Sequence, residues 1–283
     1  MPPSTALLPR LEHVFHPTDF SRGSELAFAH ALRVALAAKA ALTLFHVEPE
    51  RDREPWHEFP GVRTMLARWK LIPPGSPPAA VPALGIDVEK IGAHGHDPVS
   101  ACLAFLEAHP ADLVVLSTHG RDGVPRWLHR PVAEPLARES RAATLFVPHG
   151  SSGFVSEEDG GVALGRLLIP VDHAPPAEGA VEFVAALCAG LGVEPAVTLL
   201  HVGDPYDAPA VRLPDDRRGW SRLEVEGRDA LEEIVRVADM LPADLIAMAT
   251  TGHEGFLDAL RGSTTERVLR RAGRPLLAVP ARR

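Results

Sequence analysis

Gly252, Gly262, Ser263 and Thr264 have the types and spacing that could do chemistry, and they follow the apolar run 245–250. That run reads as a buried strand. The chain then breaks at Gly252 and Gly255, restarts at Gly262-Ser263-Thr264 and continues as an amphipathic helix. Strand, glycine loop and helix start together suit an anion. Glycine lets backbone approach a ligand closely. The first helical N–H groups lack partners, and the helix dipole favours negative charge there. Ser263 and Thr264 add hydroxyl donors at the same point. The same residues also fit an ordinary strand-to-helix loop capped by Ser263, a preferred N-cap type. On this stretch alone both readings stand.

A second group with chemical potential is His16, His94, His96 and His119, each beside a strand-to-helix turn. Such a cluster has zinc-ligand chemistry. With 14 histidines in the chain, chance clustering is easy, and solvated loop histidines are the expectation, with no metal. No Gly-x4-Gly-Lys-Ser/Thr loop occurs, which excludes a P-loop NTPase. No Gly-x-Ser-x-Gly elbow supports a hydrolase of that class. Glu232-Glu233 and Asp215-Asp216 read as solvated charges, and Asp112 and Asp244 as structural caps of the preceding loops.

The elements that must position these residues fall into two series. Strands are expected at 11–16, 41–47, 86–91, 112–118 and 144–147. Helices are expected at 24–38, 61–71, 99–108 and 131–139, with 92–98 a loop, Asp97 an N-cap and Pro98 the first helical residue. Residues 151–161 read as linker by composition. The pattern then restarts, with strands at 166–171, 196–202, 220–226, 245–250 and 275–279 and helices at 177–189, 229–240 and 265–271. Alternating strands and helices predict an α/β fold of two tandem, doubly wound, parallel-sheet, Rossmann-like domains. Their bounds are 1–150 and 162–283.

The two series are copies. Asp19 matches Asp172 at an offset of 153, and His46-Val47 matches His201-Val202 at 155. Ala111-Asp112-Leu113 matches Ala243-Asp244-Leu245, and Val147-Pro148 matches Val279-Pro280, both at 132. A constant offset that drops once means that the second copy lacks one helix-sized piece, the counterpart of 61–71.

A net charge of −8 with no Lys/Arg block argues against a nucleic-acid partner. No apolar run has the length of a membrane span. No signal peptide is visible, and Cys102 and Cys188 sit in apolar helical patterns, so two reduced, buried thiols in a cytoplasmic protein are expected.

His16-Pro-Thr-Asp-Phe-Ser21 before an alanine-rich helix, Leu44-Phe-His-Val47, the run from Ala111 to Gly120, and Gly252-x9-Gly262-Ser263 together resemble the universal stress protein family. The resemblance implies two universal-stress-type domains in one chain. It also implies an adenine-nucleotide site: the Asp after the first strand meets adenosine, the end of the second strand lines adenine, and the motif Gly-x2-Gly-x9-Gly-Ser/Thr holds ribose and phosphates. In the second domain these positions are Pro170, Val171, Asp172, Val202, Ala249, Thr250, Gly252, Gly262, Ser263 and Thr264. Ala249 departs from the first glycine by one methyl, and His173-Ala174-Pro175 departs from the usual small polar residues. The first domain keeps Ser117-Thr-His-Gly120, but Arg130-Pro131 stands where Gly-Ser belongs. Proline lacks an N–H donor, so this copy reads as degenerate.

The implied function is an ATP-binding stress-response or regulatory protein, with AMP or ADP as alternative occupants and Mg accompanying ATP. Turnover is not expected, and only His253 and Glu254 are candidates for weak hydrolysis. Two other classes stay open: an ATP-using enzyme of the adenine-nucleotide α-hydrolase-like group, and a nucleotide-free interaction scaffold. No client is legible. The apolar edges 144–147 and 276–279 are expected to pair within the chain as a pseudo-dimer, with a homodimer as a further possibility.

Overall fold

The computed structural model describes residues 11–48, 61–118, 136–137, 139–214, 218–227, 229–251 and 264–281. The first half contributes strands β1 (His13–Pro17), β2 (Ala41–Glu48), β3 (Val88–His94), β4 (Leu113–Thr118) and β5 (Ala143–Pro148). The second contributes β6 (Arg166–Pro170), β7 (Ala196–Val202), β8 (Trp220–Val225), β9 (Leu245–Thr250) and β10 (Leu276–Pro280). All ten lie in one sheet, in the order β3-β2-β1-β4-β5-β10-β9-β6-β7-β8. Every pairing is parallel except β5 with β10, where Phe146, Leu145 and Thr144 face Leu276, Leu277 and Ala278. The expected pairing of the two last strands is therefore observed, and neither apolar edge is left open.

Helices α1 (Arg22–Ala38), α2 (Val62–Arg68) and α3 (Pro98–Ala108) belong to the first half. Helices α4 (Glu178–Leu191), α5 (Ala230–Met240) and α6 (Thr264–Ala272) belong to the second. One sheet face carries α1 and α4 in a single apolar core that runs through both halves, from Phe28 and Leu32 to Val181 and Val184. The other face buries Leu106 of α3, Val237 of α5 and Val268 of α6. Caps match the sequence where the residue type dictates them. Asp97 accepts from Val99 N at 3.1 Å, and Asp229 accepts from Leu231 N at 2.9 Å.

Between β7 and β8 the described residues hold only a 3-10 turn, Pro205–Asp207, where the first half has α2. Other expectations are corrected. Strand β3 continues through Gly92 to His94, because it pairs with β2 as far as Glu48. Residues 151–161 are not a loose tether. Val155 bridges Val162, and Phe154 and Val155 are buried in the shared core. His30 Nε2 accepts the N–H groups of Phe154 and Val155 at 2.9 and 3.2 Å. Glu232 pairs with Arg271, and Glu233 with Arg236 at 2.7 Å, so neither is simply a solvated charge. Asp112 and Asp244 are structural, but they cap a neighbouring strand. Asp112 Oδ2 accepts from Glu12 N and His13 N, and Asp244 Oδ2 from Gly165 N and Arg166 N, at 2.7–2.9 Å. Residues 136, 137 and 139 are helical, and the rest of the expected helix at 131–139 lies outside the described residues, as do Asp215 and Asp216.

Candidate functional site

In an open parallel sheet, ligands sit outside the carboxyl ends of the strands, where the winding reverses. The second half winds from β6 out to β7 and β8, then returns to β9 and β10 on the other side. Its switch point is the β6–β9 boundary. The β6–β7 ladder runs over five pairs, whereas β6 meets β9 only at Leu167↔Leu245 and Leu168↔Ile246. Past that point the ladder stops, and there an open parallel sheet has its crevice.

The sequence-derived residues stand around it. Pro170 ends β6, the buried Val171 follows it, and Asp172 is exposed at the mouth. Val202 ends β7. Ala249 and Thr250 end β9, with Thr250 buried. Thr264 opens α6. Gly252, Gly262, Ser263, His253 and Glu254 lie outside the described residues.

Backbone bonds hold the rim. Val171 N donates to Leu200 O, and Ala281 N to Thr250 O, both at 2.8 Å. His201 lies within hydrogen-bond reach of Val171 O through Nδ1 at 3.4 Å and of Asp204 O through Nε2 at 3.2 Å, and the neutral ring donates to one of these two carbonyls at a time. His173 Nε2 donates to Asp207 O at 2.7 Å and joins the same two loops nearer solvent. Helix α6, whose first turn would present donors, is docked on α5 by Arg271–Glu232 and by Arg267–Asp229 at 3.7 Å. His201 and His173 were not singled out as site residues. The available signal was the repeated His-Val pair, because a polar ring kept at one place in two buried strands marks a fixed hydrogen bond.

The first half has the same frame. Strands β1 and β4 share only Val14↔Leu113 and Phe15↔Val114, which again opens a crevice. Thr18 N donates to Phe45 O at 2.8 Å, and His46 Nδ1 bonds Thr18 O at 2.7 Å. Polar side chains occupy this crevice. His16 is fully buried and bonds Val115 O at 2.9 Å, while Ser24 Oγ donates to Thr18 Oγ1 at 2.9 Å. Burial outweighs that carbonyl contact and pulls the His16 pKa down to about 4. Ser117 Oγ is buried without a hydrogen-bond partner among the described residues, and a Cβ on Gly23 would stand 2.7 Å from it.

The three candidate histidines among the described residues are not gathered. His16 is buried beneath the first crevice, His94 and His96 are exposed, and His119 lies outside the described residues, as do Arg130 and Pro131. Among the described residues, no three His, Cys, Asp or Glu side chains stand together as a metal site would need. Cys102 and Cys188 are buried thiols, each pushed up to about 12 by desolvation. Among the described residues no helix is long and apolar enough to cross a membrane.

The universal stress protein family model matches residues 11–148 and 220–280. The chain belongs to that family. Among solved structures, a universal stress protein from Archaeoglobus fulgidus DSM 4304 is 19% identical, with TM-score 0.61, covering 95% of this chain and 96% of that one. A functionally unknown protein from Pseudomonas aeruginosa PAO1 is 15% identical, with TM-score 0.59, covering 96% and 93%. The cytoplasmic domain of a prokaryotic cation chloride cotransporter is 11% identical, with TM-score 0.54, covering 95% of each. At these identities the likeness is one of fold, and it extends over both halves. No curated protein matches the chain.

Proposed function

We propose that this universal stress protein is a nucleotide-binding regulator that holds one ATP per chain in its second half and does not turn it over. The observation that carries the reading is an asymmetry within a duplicated frame. Both halves have a switch-point crevice, but only the second is followed by Gly252-x9-Gly262-Ser263, where the first has Arg130-Pro131.

The chemistry supports a nucleotide. Asp172 stands at the mouth, where its carboxylate can accept from ribose hydroxyls. Val171, Val202 and Ala249 offer an apolar lining for a base. The start of α6 supplies N–H donors and a positive dipole end for phosphates. The fit is to adenosine phosphates as a class, with ATP the occupant that the family resemblance implies. Mg would accompany the triphosphate.

The test is mass spectrometry of small molecules released when the purified chain is denatured. One equivalent of adenine nucleotide, mostly ATP, is expected. No nucleotide, together with no binding of added ATP, would instead support a nucleotide-free scaffold.

A further inference from the structure

The chain has one tyrosine, Tyr206, and it is fully exposed on the 3-10 turn that follows β7. We propose that Tyr206 is the residue that stacks on the base of the nucleotide in the second crevice and favours a purine there; the inference rests on the nucleotide reading above.

A single exposed ring is ordinary on a protein surface. What sets this one apart is the turn that carries it. Gly203 follows Val202, the end of β7, directly. Asp204 Oδ1 accepts from Tyr206 N, and Asp204 O from Asp207 N, both at 2.9 Å. Pro205 fixes its own φ at the start of the turn. Downstream, Arg222 donates through Nη1 to Pro209 O at 3.3 Å and through Nη2 to Val211 O at 2.9 Å. Across the rim, His173, the neighbour of Asp172, donates to Asp207 O at 2.7 Å. The backbone under Tyr206 is therefore tied on both sides, and the residue beside it is joined to the Asp172 loop.

These ties root the ring between Asp172 and Val202, the two positions read as meeting ribose and base. Val171, Val202 and Ala249 offer the base an apolar lining but no aromatic face. Tyr206 supplies that face. The ring has only to change χ1 among its staggered positions, and no backbone tie has to break. Tyrosine suits the task, because it brings a large flat area with two χ angles to order. An aromatic face stacks on the π-face of a base without needing its hydrogen-bonding edge. A purine offers the larger face and so gains more than a pyrimidine.

The test is fluorine NMR of the full chain labelled with fluorotyrosine, read beside calorimetric titration. One tyrosine gives one signal. Saturating ATP is expected to shift that signal upfield through the ring current of the stacked purine, and tripolyphosphate at the same concentration to leave it in place. Tyr206→Ala is expected to bind ATP about tenfold more weakly, with a smaller loss for UTP, and Tyr206→Phe to bind as the wild type does. Because the ring is fully exposed without ligand, each variant should keep its thermal midpoint in the absence of nucleotide. If the wild type binds no ATP, the nucleotide reading fails and this assignment with it. If ATP binds but the signal stays in place, or Tyr206→Ala binds ATP as tightly as the wild type, the nucleotide reading stands and the assignment to Tyr206 is overturned. Equal losses for ATP and UTP would overturn the purine preference.

Discussion

The two crevices share a backbone and differ in what lines it. Subtracting the repeat offset puts Ile169 where the first half has His16, Val171 where it has Thr18, Ala177 where it has Ser24, and Ala249 where it has Ser117. Backbone bonds are retained in both, including Thr18 N to Phe45 O and Val171 N to Leu200 O. The histidine of the second strand is retained as well, on Thr18 O in one half and on Val171 O in the other. The first crevice is thus filled by its own hydroxyl and imidazole groups, bonded to each other and to Val115 O. The second has Ile169, Val171, Ala177 and Ala249 at these four positions, side chains with no polar atoms to satisfy. A duplicated frame can keep its backbone bonds while the side chains that line it diverge.

The largest expected effect tests whether the halves are separable at all. Leu277 and Leu145 are buried partners in the antiparallel seam between β5 and β10. Leu277→Asp puts an unpaired charge there and should cost more than about 5 kcal/mol. Hydrogen exchange should show both halves losing protection together, since one core spans them. Loss confined to residues 162–283 would mean that each half folds alone.

Acid should act on the first half. His16 and His30 are fully buried, and burial lowers both from 6.5 to about 4. The same offset places Ile169 and Phe183 at their positions in the second half. Between about pH 6.5 and pH 4 the unfolded chain binds more protons than the folded one, so stability falls as pH falls. The loss levels off below the folded values, at about 3 kcal/mol per histidine. Protonated His30 would also lose the acceptor that holds Phe154 N and Val155 N. Exchange at pH 5 should therefore rise first around α1 and the 151–161 segment. A uniform rise across both halves would contradict this.

The smallest effect concerns what the copies share. Asp97 and Asp229, 132 residues apart, cap equivalent helices through the same contact. Asp97→Ala and Asp229→Ala should each cost about 1 kcal/mol in denaturant unfolding. A large inequality would show that the two frames differ beneath their side chains.

Much of this was legible from the chain because it is local. The run 245–250 coincides with β9, Asp97 and Asp229 are caps by residue type, and the offset drop located the missing helix. What escaped is non-local. The glycine-rich stretch at 151–161 reads as linker, yet His30 grips it from 124 residues away. The spread of β6 from β9 follows from where a ladder stops, which no single stretch encodes. Glu232 is exposed, as its residue type suggests, but its pairing with Arg271 joins two helices and is not legible from either. At the candidate site, Asp172, Val202 and Ala249 could be placed from the repeat, whereas the clasp from His173 to Asp207 depends on two loops meeting.

The central claim is that the nucleotide belongs to one half, and calorimetric titration of ATP into four proteins tests it most directly. The wild type should bind one ATP per chain. Gly262→Asp, which puts bulk and negative charge into the phosphate loop, should bind none. Ser263→Ala removes one charge-assisted donor and should weaken binding by about tenfold to a hundredfold. Arg130→Ala should bind as the wild type does. Two ATP per chain, or binding lost in Arg130→Ala and kept in Gly262→Asp, would contradict the account.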